Sequence, residues 1–494
     1  MTPACFALLL ECASLAVFQP ASAKDAPSAA EKPVSYYKQI RPIFQMQCQG
    51  CHQPSKAQGQ FIMTDHASLL KAGDRGKAGV VPGDSGTSHL LQVIRPQGGK
   101  RAEMPRGAEP LPDKDTALVE KWIRQGAKDD TPSSARDTIT AENPPVYGLP
   151  PVITTLDITP DGKLLAVNGY HEVLLFEVGT WKPAGRLVGL SQQVQSLGFS
   201  PDGKWLATSG GNPGRFGEVQ VWDAEKKALK LAVPYTGDTL FGLSWSPDSK
   251  LLAFGCADNN VRVIDATTGK QVFQQGAHND WVLGTCFSRD GKFLVSASRD
   301  RTLKLTEVAT ARFIDNVTSI TPGALKGGLQ VGLVRPGKEQ RKVKASSIAV
   351  ASIEEKVYEE ILIGGADGIP RLYKMHRETK RVIGDDANKV RDYAALPGRI
   401  YAVAFTPDGK KFAVGSSLDG AGVLRVIQTD DGKQVSQAEG QVGAVYSLAF
   451  SPDSKWLFAG GFDGQVRVID PTTGKVTHQF TALPSLALRP VAAK

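Results

Sequence analysis

The stretch LSWSPDSKLLAF, residues 243–254, decides the fold of most of this chain. Its centre, Ser246-Pro247-Asp248-Ser249, predicts a tight turn, because proline pre-sets the φ angle of the second turn position and aspartate tolerates the third. The flanking residues alternate between apolar and small or polar types, which is typical of β-strands. The stretch therefore predicts two short antiparallel strands joined by a turn.

The same turn recurs along the C-terminal two thirds of the chain. With the second turn residue as a marker, successive copies are separated by 41, 46, 42, 118 and 45 residues. The long interval fits one degenerate repeat with an insertion, centred on residues 325–375, so the sequence predicts seven repeats. The six clear copies begin at Thr159, Ser200, Ser246, Ser288, Thr406 and Ser451.

Two further alternating segments follow each turn and its strands, as at residues 219–223 and 261–265. Four short strands repeated at about 42 residues predict a β-propeller blade. These repeats resemble WD40 repeats, and Trp222-Asp223 shows that family's signature dipeptide. The resemblance implies an all-β, seven-bladed WD40-like propeller over residues 151–485. It also implies a structural role for the aspartate before each third strand, at Asp258, Asp300, Asp367, Asp419 and Asp463.

Two details of the repeats concern histidine and cysteine. His278 occupies the position of that family's histidine, but Thr306 replaces its tryptophan partner, so an incomplete hydrogen-bonded tetrad is expected. Cys256 and Cys286 fall at small-residue positions of neighbouring repeats. Buried free thiols are expected there, with a disulfide as the alternative.

The only long apolar stretch lies at the N-terminus, from Ala4 to Val17. It is too short to span a bilayer, and Ala21-Ser22-Ala23 supplies the small residues that a signal peptidase reads. We therefore expect a signal peptide at residues 1–23 and a periplasmic or otherwise exported protein, with a retained anchor as the alternative. No transmembrane segment is expected after removal of the signal.

Composition restricts the class of protein and its partners. The 494 residues suggest two or three domains, and 41% hydrophobic with 22% charged residues is typical of a globular protein. The formal net charge is +8, yet the basic residues are scattered rather than gathered into a stripe, so no nucleic-acid partner is expected. A compact region at 35–130 and a polar, proline-containing linker at 131–150 precede the repeats.

Cys48-Gln49-Gly50-Cys51-His52 carries the chemistry of the compact region. The C-x-x-C-H spacing is what c-type haem attachment requires, because two thiols on one helical turn reach one porphyrin and the adjacent imidazole reaches its iron. No second cysteine pair follows to complete a zinc site, and no βαβ pattern supports a thioredoxin-like domain. The motif predicts one covalently attached haem c, an iron cofactor, per chain.

The second iron ligand is expected later in the chain. Met104 is the preferred candidate, because Pro105 restricts its backbone to extended conformations in a glycine-containing loop. His66, His89 and Met63 are the alternatives. A helix over residues 116–125 is expected to close over the haem.

This region resembles class I cytochromes c, and more narrowly the planctomycete-type cytochrome c domain. The resemblance rests on Cys51-His52, on Pro82-Gly83-Asp84, on Met104-Pro105 and on residues 119–127. It implies an all-α cytochrome c domain fused to the WD40-repeat propeller. By this resemblance His52 and Met104 are the two iron ligands.

The functional prediction is an exported electron-transfer protein whose propeller docks redox protein partners. No catalytic constellation is recognisable, so an enzyme is not expected. Two alternatives stay open. One is a haem-containing oxidoreductase with a second cofactor on the propeller, and the other is an interaction scaffold in which the haem is structural.

Overall fold

The structure is a computed structural model. It describes residues 32–483 apart from 54–55, 99, 107, 133–138, 140–143, 277, 320–324, 326–327, 337–339, 343–355, 381, 383–384 and 440–441. The predicted signal peptide at 1–23 lies outside the described residues.

Residues 32–132, here called the small domain, surround one apolar core. A π-helical turn at Tyr36–Ile40 runs directly into helix α1, and Trp122 of the longest helix is 1% exposed at the centre of the core. The four α-helices among the described residues are α1 (Arg41–Gln47), α2 (His66–Leu69), α3 (His89–Ile94) and α4 (Asp113–Arg124).

The prediction of an all-α domain is wrong for this region. Strands β1 (His52–Gln53) and β2 (Lys56–Ala57) pair as a short antiparallel ladder, and a 3₁₀ turn follows at Gln58–Gln60. The connections between helices contain glycines with positive φ, such as Gly76 and Gly83, a conformation that does not continue an α-helix. They lie outside the helices, in the segments that connect them.

Residues 144–483, here called the repeat region, consist of antiparallel strands. They form seven successive four-stranded blades in which strands pair in chain order, and β6 is long enough to serve as the last strand of blade 1 and the first of blade 2. Blades 1 and 2 contain β3 (Leu156–Ile158), β4 (Leu164–Asn168), β5 (Tyr170–Glu177), β6 (Pro183–Phe199), β7 (Trp205–Asn212), β8 (Phe216–Asp223) and β9 (Ala228–Thr236).

The next two blades each hold four consecutive strands. Blade 3 contains β10 (Leu240–Trp245), β11 (Leu251–Cys256), β12 (Val261–Asp265) and β13 (Gln271–Gln275). Blade 4 contains β14 (Val282–Phe287), β15 (Phe293–Ser298), β16 (Leu303–Glu307) and β17 (Phe313–Asn316).

The last three blades carry two additions to this plan. A hairpin of β19 and β20 is inserted in blade 5, and β28 pairs with β26 beside blade 6. Blade 5 contains β18 (Leu329–Val334), β21 (Glu360–Gly365), β22 (Arg371–Lys374) and β23 (Lys389–Asp392), with the inserted β19 (Gln340–Lys342) and β20 (Lys356–Tyr358). Blades 6 and 7 contain β24 (Arg399–Phe405), β25 (Lys411–Leu418), β26 (Ala421–Gln428), β27 (Gln434–Gln437), β28 (Val442–Gly443), β29 (Val445–Phe450), β30 (Leu457–Gly461), β31 (Gln465–Ile469) and β32 (Val476–Thr481).

The recurring turn is held by its own side chains. In blade 7 the Ser451 hydroxyl donates to the Asp453 carboxylate over 2.6 Å, and the Trp456 amide donates to the Ser451 hydroxyl over 2.9 Å. The fourth turn residue has a positive φ, 60° at Ser454 and 73° at the equivalent Gly162. The prediction of turn-linked strands is confirmed, and the serine–aspartate bond is a detail that propensities alone did not give.

Seven of the apolar cores among the described residues lie between neighbouring blades. Each combines buried side chains of two consecutive blades, and one combines Phe458 of blade 7 with Leu156 of blade 1. The first strands of successive blades contact one another, β29 contacts β3, and the Ile153 amide donates to the Gly461 carbonyl over 2.9 Å. A blade therefore buries its faces mainly against its neighbours.

The aspartates before the third strands occupy structural positions. Asp258 pairs with Arg262 over 2.6 Å, and Asp367 pairs with Arg371 over 2.8 Å. Each pair ties a turn to the strand that follows it. Cys256 and Cys286 are buried free thiols, so the expected thiols are found and the alternative disulfide is absent between these two residues.

Candidate functional site

The C-x-x-C-H segment forms one helical turn directly after α1. Cys48 caps this helix, and the amides of Cys51 and His52 both donate to the Cys48 carbonyl over 3.1 Å. The predicted site residues Cys48, Cys51 and His52 are therefore brought together, as their spacing required. Both thiols are half-buried and free.

The His52 ring is oriented by the backbone. Its Nδ1 lies 3.0 Å from the Phe61 carbonyl oxygen, and a carbonyl can only accept, so Nδ1 carries the proton. The Nε2 atom then keeps its lone pair. Histidines that ligate metals are commonly held by this kind of hydrogen bond from the other ring nitrogen.

Met104 packs partly buried against the same core as Cys48, and its amide donates to the Val93 carbonyl over 2.9 Å. Two of the three alternative ligands are committed elsewhere, and Nδ1 of the third, His89, lies 3.3 Å from Gln92 Oε1. Met63 is 2% exposed within the core, and His66 Nε2 lies 2.6 Å from the Ala127 carbonyl oxygen. Burial and packing therefore favour Met104 over these two alternatives.

Two further observations test whether this site fits a haem held by thioether bonds. The side-chain amide nitrogen of Gln53, next to His52, is buried without a hydrogen-bond acceptor among the described residues, which leaves a donor for a group held at the motif. Burial, with a smaller contribution from Cys51, raises the pKa of the Cys48 thiol to about 12. Such a thiol is a poor nucleophile for disulfide exchange. The fit to covalent attachment rests on the single turn that brings Cys48, Cys51 and His52 together and on the Gln53 donor.

The motif also lies at the junction between the small domain and blade 2. A Cβ atom placed on Gly50 would lie 2.1 Å from the Ala232 carbonyl oxygen of β9. Beside this contact, the Arg215 guanidinium donates to the Tyr37 hydroxyl and lies 5.4 Å from the centroid of the Tyr37 ring. Gly50 therefore allows a backbone approach that no other residue type permits, and the spacing of the motif gave no sign of it.

A second cluster lies where blade 4 begins. His278 Nδ1 lies 2.9 Å from Asp300 Oδ2 and Nε2 lies 2.8 Å from Ser296 Oγ, while Thr306 turns away to donate to Gln275. This confirms the incomplete tetrad that the sequence predicted. Burial opposes ionisation of Asp300, but hydrogen bonds from His278 and Thr302 hold the pKa of this carboxyl below its ordinary range.

Sequence reasoning did not single out the aromatic residue next to this network. Trp281 is 38% exposed and stacks on Phe241 with 5.7 Å between ring centroids. The Arg299 guanidinium lies 4.7 Å from the centroid of the Trp281 ring. The sequence did hold a signal that could have found Trp281. His278 is followed by two polar residues and this aromatic residue, directly before the first strand of blade 4.

Two kinds of feature are absent from the described part of the chain. No group of three or more His, Cys, Asp or Glu side chains there is arranged to hold a metal ion. No helix in those residues is long and apolar enough to cross a membrane.

Comparison with protein families identifies the repeats. Residues 181–216, 269–306 and 432–470 match the family described as WD domain, G-beta repeat, and residues 215–283 match the Anaphase-promoting complex subunit 4 WD40 domain. The chain therefore contains WD40 repeats. Residues 48–106, which begin at Cys48 and include Met104, match the family described as Planctomycete cytochrome C.

Curated proteins similar to this chain share short stretches of it. A component of chromatin assembly factor 1 of Saccharomyces cerevisiae is 34% identical over 13% of this chain and 14% of its own length. Ribosome assembly protein 4 of Chaetomium thermophilum is 38% identical over 13% and 12%. Nuclear distribution protein PAC1-2 of Uncinocarpus reesii is 27% identical over 32% and 34%. The chain thus spans at most about a third of the length of these relatives.

These names overturn three of the predictions. They refer to chromatin assembly, ribosome assembly and nuclear distribution, so the prediction of an electron-transfer protein is wrong. The description of the chain as a periplasmic haem-iron carrier of electrons falls with it. The expected exported location conflicts with relatives named for the nucleus and for small nucleolar RNA. The motif covers only five residues, whereas most of the described chain consists of repeats, so the motif does not indicate the role of the whole chain.

Proposed function

We propose that this protein is an interaction scaffold that assembles other proteins on its repeat region. The observation that carries the proposal is the set of seven four-stranded blades, three segments of which match WD domain repeats. Rigid blades joined by exposed loops present many side chains at fixed positions, which suits protein docking better than catalysis. The names of the similar proteins refer to assembly and distribution, which agrees with this role.

We infer that the seven blades close into a ring. The shared core of Phe458 and Leu156 and the Ile153–Gly461 hydrogen bond support closure between blade 7 and blade 1. A closed ring has no unpaired first or last blade, so every blade buries both faces. Closure would fix the loops of all blades relative to one another, as a docking platform requires.

The small domain adds a second docking element to this platform. The Gly50–Ala232 approach and the Arg215–Tyr37 contact support a fixed position against blade 2. A partner that contacts both units then meets a single surface, which lowers the entropy lost on binding. The expected redox partners have no support here, and the proposal replaces them with assembly partners.

The scaffold can be tested with the full-length chain in native extract. The protein, tagged and labelled, is expected to elute from size exclusion within a complex of defined mass and fixed stoichiometry, and protease treatment of the extract beforehand should abolish the shift. Cross-linking mass spectrometry should place the cross-links on loops between blades. Elution of the labelled chain at its own mass under all conditions would overturn the scaffold.

We further propose that Cys48, Cys51 and His52 hold one haem c as a structural group of this scaffold, with Met104 as the second ligand. The single turn of the motif, the protonated Nδ1 of His52 and the unpaired Gln53 amide support this assignment. A bound haem would supply a large apolar surface and ligation of its iron on both faces. The residues of the motif contribute thioether attachment and orientation of the imidazole.

Staining of denaturing gels for covalent haem tests the assignment. Protein made in a host with haem-maturation machinery is expected to stain, and the Cys48→Ala, Cys51→Ala double variant is expected not to. The matched control is the Cys256→Ala, Cys286→Ala variant, which removes the two buried thiols of the repeat region and should stain as the wild type does. Unstained wild-type protein, or staining that survives loss of Cys48 and Cys51, would refute the attachment.

A further inference from the structure

A buried carboxyl lies in blade 2, next to the strand that meets the small domain. Glu218 of β8 is 2% exposed, and its Oε1 atom accepts hydrogen bonds from the Ser191 hydroxyl over 2.8 Å and from the Gln220 side-chain amide over 2.6 Å. Burial raises the pKa of Glu218 to about 7, although these hydrogen bonds favour the ionised form. This carboxyl therefore changes its charge near neutral pH inside a closed blade.

Strand β9 borders this carboxyl and also makes the contact with the small domain. Across the β8–β9 ladder, Glu218 lies opposite Pro234. Two residues earlier on β9, Ala232 lies opposite Gln220. A Cβ atom on Gly50 would lie 2.1 Å from the Ala232 carbonyl oxygen and 3.4 Å from Pro234 Cδ. Since directly opposite residues of an antiparallel pair are about 5 Å apart, the docking contact and the buried carboxyl are close neighbours.

The β8–β9 ladder is weakened at this point. Pro234 has no amide hydrogen to donate. The pairing shifts between Gly217 and Glu218, so Tyr235 has no residue directly opposite it. Strand β9 is also the last strand of its sheet, so only one of its edges is paired. Such a segment opens locally at a lower cost in free energy than an inner strand does, and opening would both bring water to the carboxyl and move the docking contact.

The charged groups around Glu218 leave it without an opposite charge. Arg215, in the turn before β8, donates to the Tyr37 hydroxyl, and Arg186 of blade 1 pairs with the Glu172 carboxylate over 2.6 Å. None of the charged groups among the described residues contributes to the raised pKa of Glu218. The other titratable side chains on the strands, turns and helix around it are Tyr170, His171, Glu177, Asp223, Lys230, Tyr235, Asp238 and, on the small domain, Arg41.

We propose that Glu218 is a proton-controlled latch between the small domain and blade 2. While the carboxyl is protonated, β9 stays closed beside it and the small domain stays docked. When the carboxyl gives its proton to water, no cation of the described residues pairs with the buried carboxylate, so β9 opens to hydrate it and the docking contact is lost. Docking in turn holds the proton on Glu218, because such coupling is reciprocal. This inference rests on the proposed docking of the small domain and adds its regulation.

The direction of the pH dependence follows from proton binding. The pKa of Glu218 is higher in the docked state, where the carboxyl is buried, than in the open state, so the docked state binds more protons. Docking is therefore strongest below about pH 4, weakens as the pH rises to about 7 and then levels off. The equilibrium constant for opening is expected to rise about tenfold between pH 6 and pH 8.

Hydrogen exchange of the full-length protein, measured by mass spectrometry, tests the latch. After correction for the intrinsic exchange rate at each pH, the amides of β9 and of residues 48–52 are expected to lose protection together between pH 6 and pH 8. Glu218→Gln cannot ionise and should keep the protection of both segments constant over this range. The exposed Glu225→Gln is the matched control and should follow the wild type.

A second variant tests whether opening of β9 and undocking are one event. Gly50→Ala adds a Cβ atom that meets the Ala232 carbonyl and so weakens docking. Strand β9 should therefore open at a lower pH in this variant than in the wild type, while an unchanged circular dichroism spectrum shows that both units are folded. An unchanged midpoint of opening would mean that Glu218 acts on blade 2 alone, and would overturn the latch.

X-ray scattering separates the latch from the docked arrangement itself. If the radius of gyration shows a detached small domain at every pH, the proposed position of the small domain fails and the latch fails with it. If the protein is compact and exchange of β9 depends on pH equally in wild type and Glu218→Gln, the position stands and the latch is refuted. Opening of the wild type with rising pH, absent in Glu218→Gln, supports both.

Discussion

The small domain and the repeat region reach stability by different routes. The small domain has one apolar core centred on residues such as Trp122 and Phe44, whereas the repeat region has a separate core at each blade junction. In the repeat region the same turn is specified at Thr159 and again at Ser451 by the same local hydrogen bonds. A fold built from repeats can therefore be predicted from sequence, because the same local pattern recurs along the chain. A domain with a single core depends on long-range contacts that are each made only once, so its sequence gives fewer signs of its fold.

The largest expected effect comes from the single core. Trp122→Ala should destabilise the small domain by about 3–5 kcal/mol, because a large buried ring is lost and the cavity collapses only partly. Calorimetry is expected to show a lowered transition for the small domain and an unchanged transition for the repeat region. Trp281→Ala, at a position 38% exposed, is the control and should alter unfolding little. A parallel fall of both transitions would mean that the two regions unfold as one unit, against the comparison.

The next effect concerns a blade that departs from the repeat. Glu218 is 2% exposed and accepts hydrogen bonds from Ser191 and Gln220, and burial raises its pKa to about 7. The pKa of Glu218 is higher in the folded state than in the unfolded state. The free energy of unfolding is therefore highest below about pH 4 and falls by about 3 kcal/mol as the pH rises to about 7.

Glu218→Gln should remove that loss, so urea unfolding should show a smaller decline in the free energy of unfolding between pH 5 and pH 7. The exposed Glu225→Gln is the control and should keep the wild-type pH profile. An equal decline of the free energy of unfolding with pH in wild type and Glu218→Gln would show that this carboxyl ionises without loss of stability. Blade 2 would then be no exception among the blades.

The third effect sharpens the boundary between the two regions. Gly50→Ala should weaken docking of the small domain by about 1–3 kcal/mol, because the added Cβ meets the Ala232 carbonyl. X-ray scattering should report a larger radius of gyration with both folded units intact. Gly237→Ala is the control, since a Cβ there meets nothing within 4 Å. A compact Gly50→Ala protein would show that the junction does not depend on this approach.

The smallest effect tests the redundancy of the repeats. Asp453→Ala should cost about 1 kcal/mol, because the aspartate accepts from the Ser451 hydroxyl and the Lys455 amide within one local turn. Asp161→Ala removes the same pair of bonds in blade 1 and should cost the same. Chemical denaturation measures both. Costs that differ severalfold would show that the turns, although alike in sequence, are not equivalent in the folded repeat region.

The candidate site illustrates where sequence reasoning succeeded and where it failed. The spacing of Cys48, Cys51 and His52 predicted their juxtaposition, since residues three and four apart share one helical turn. The same motif led to the wrong function, because a short local pattern says nothing about the partners of the whole chain. The Trp281 surface was missed because Phe241 and Arg299 come from different blades or loops and meet only in the fold.

The sequence by itself determined the turns, the strand alternation and the number of repeats, because these depend on backbone preferences and hydrogen bonds within about five residues. Tertiary structure alone decided that Gly50 meets Ala232, that Glu218 is buried against Ser191 and Gln220 and that Trp281 lies between an arginine and a phenylalanine. Those outcomes depend on packing between elements far apart in the chain, for which no local pattern carries information.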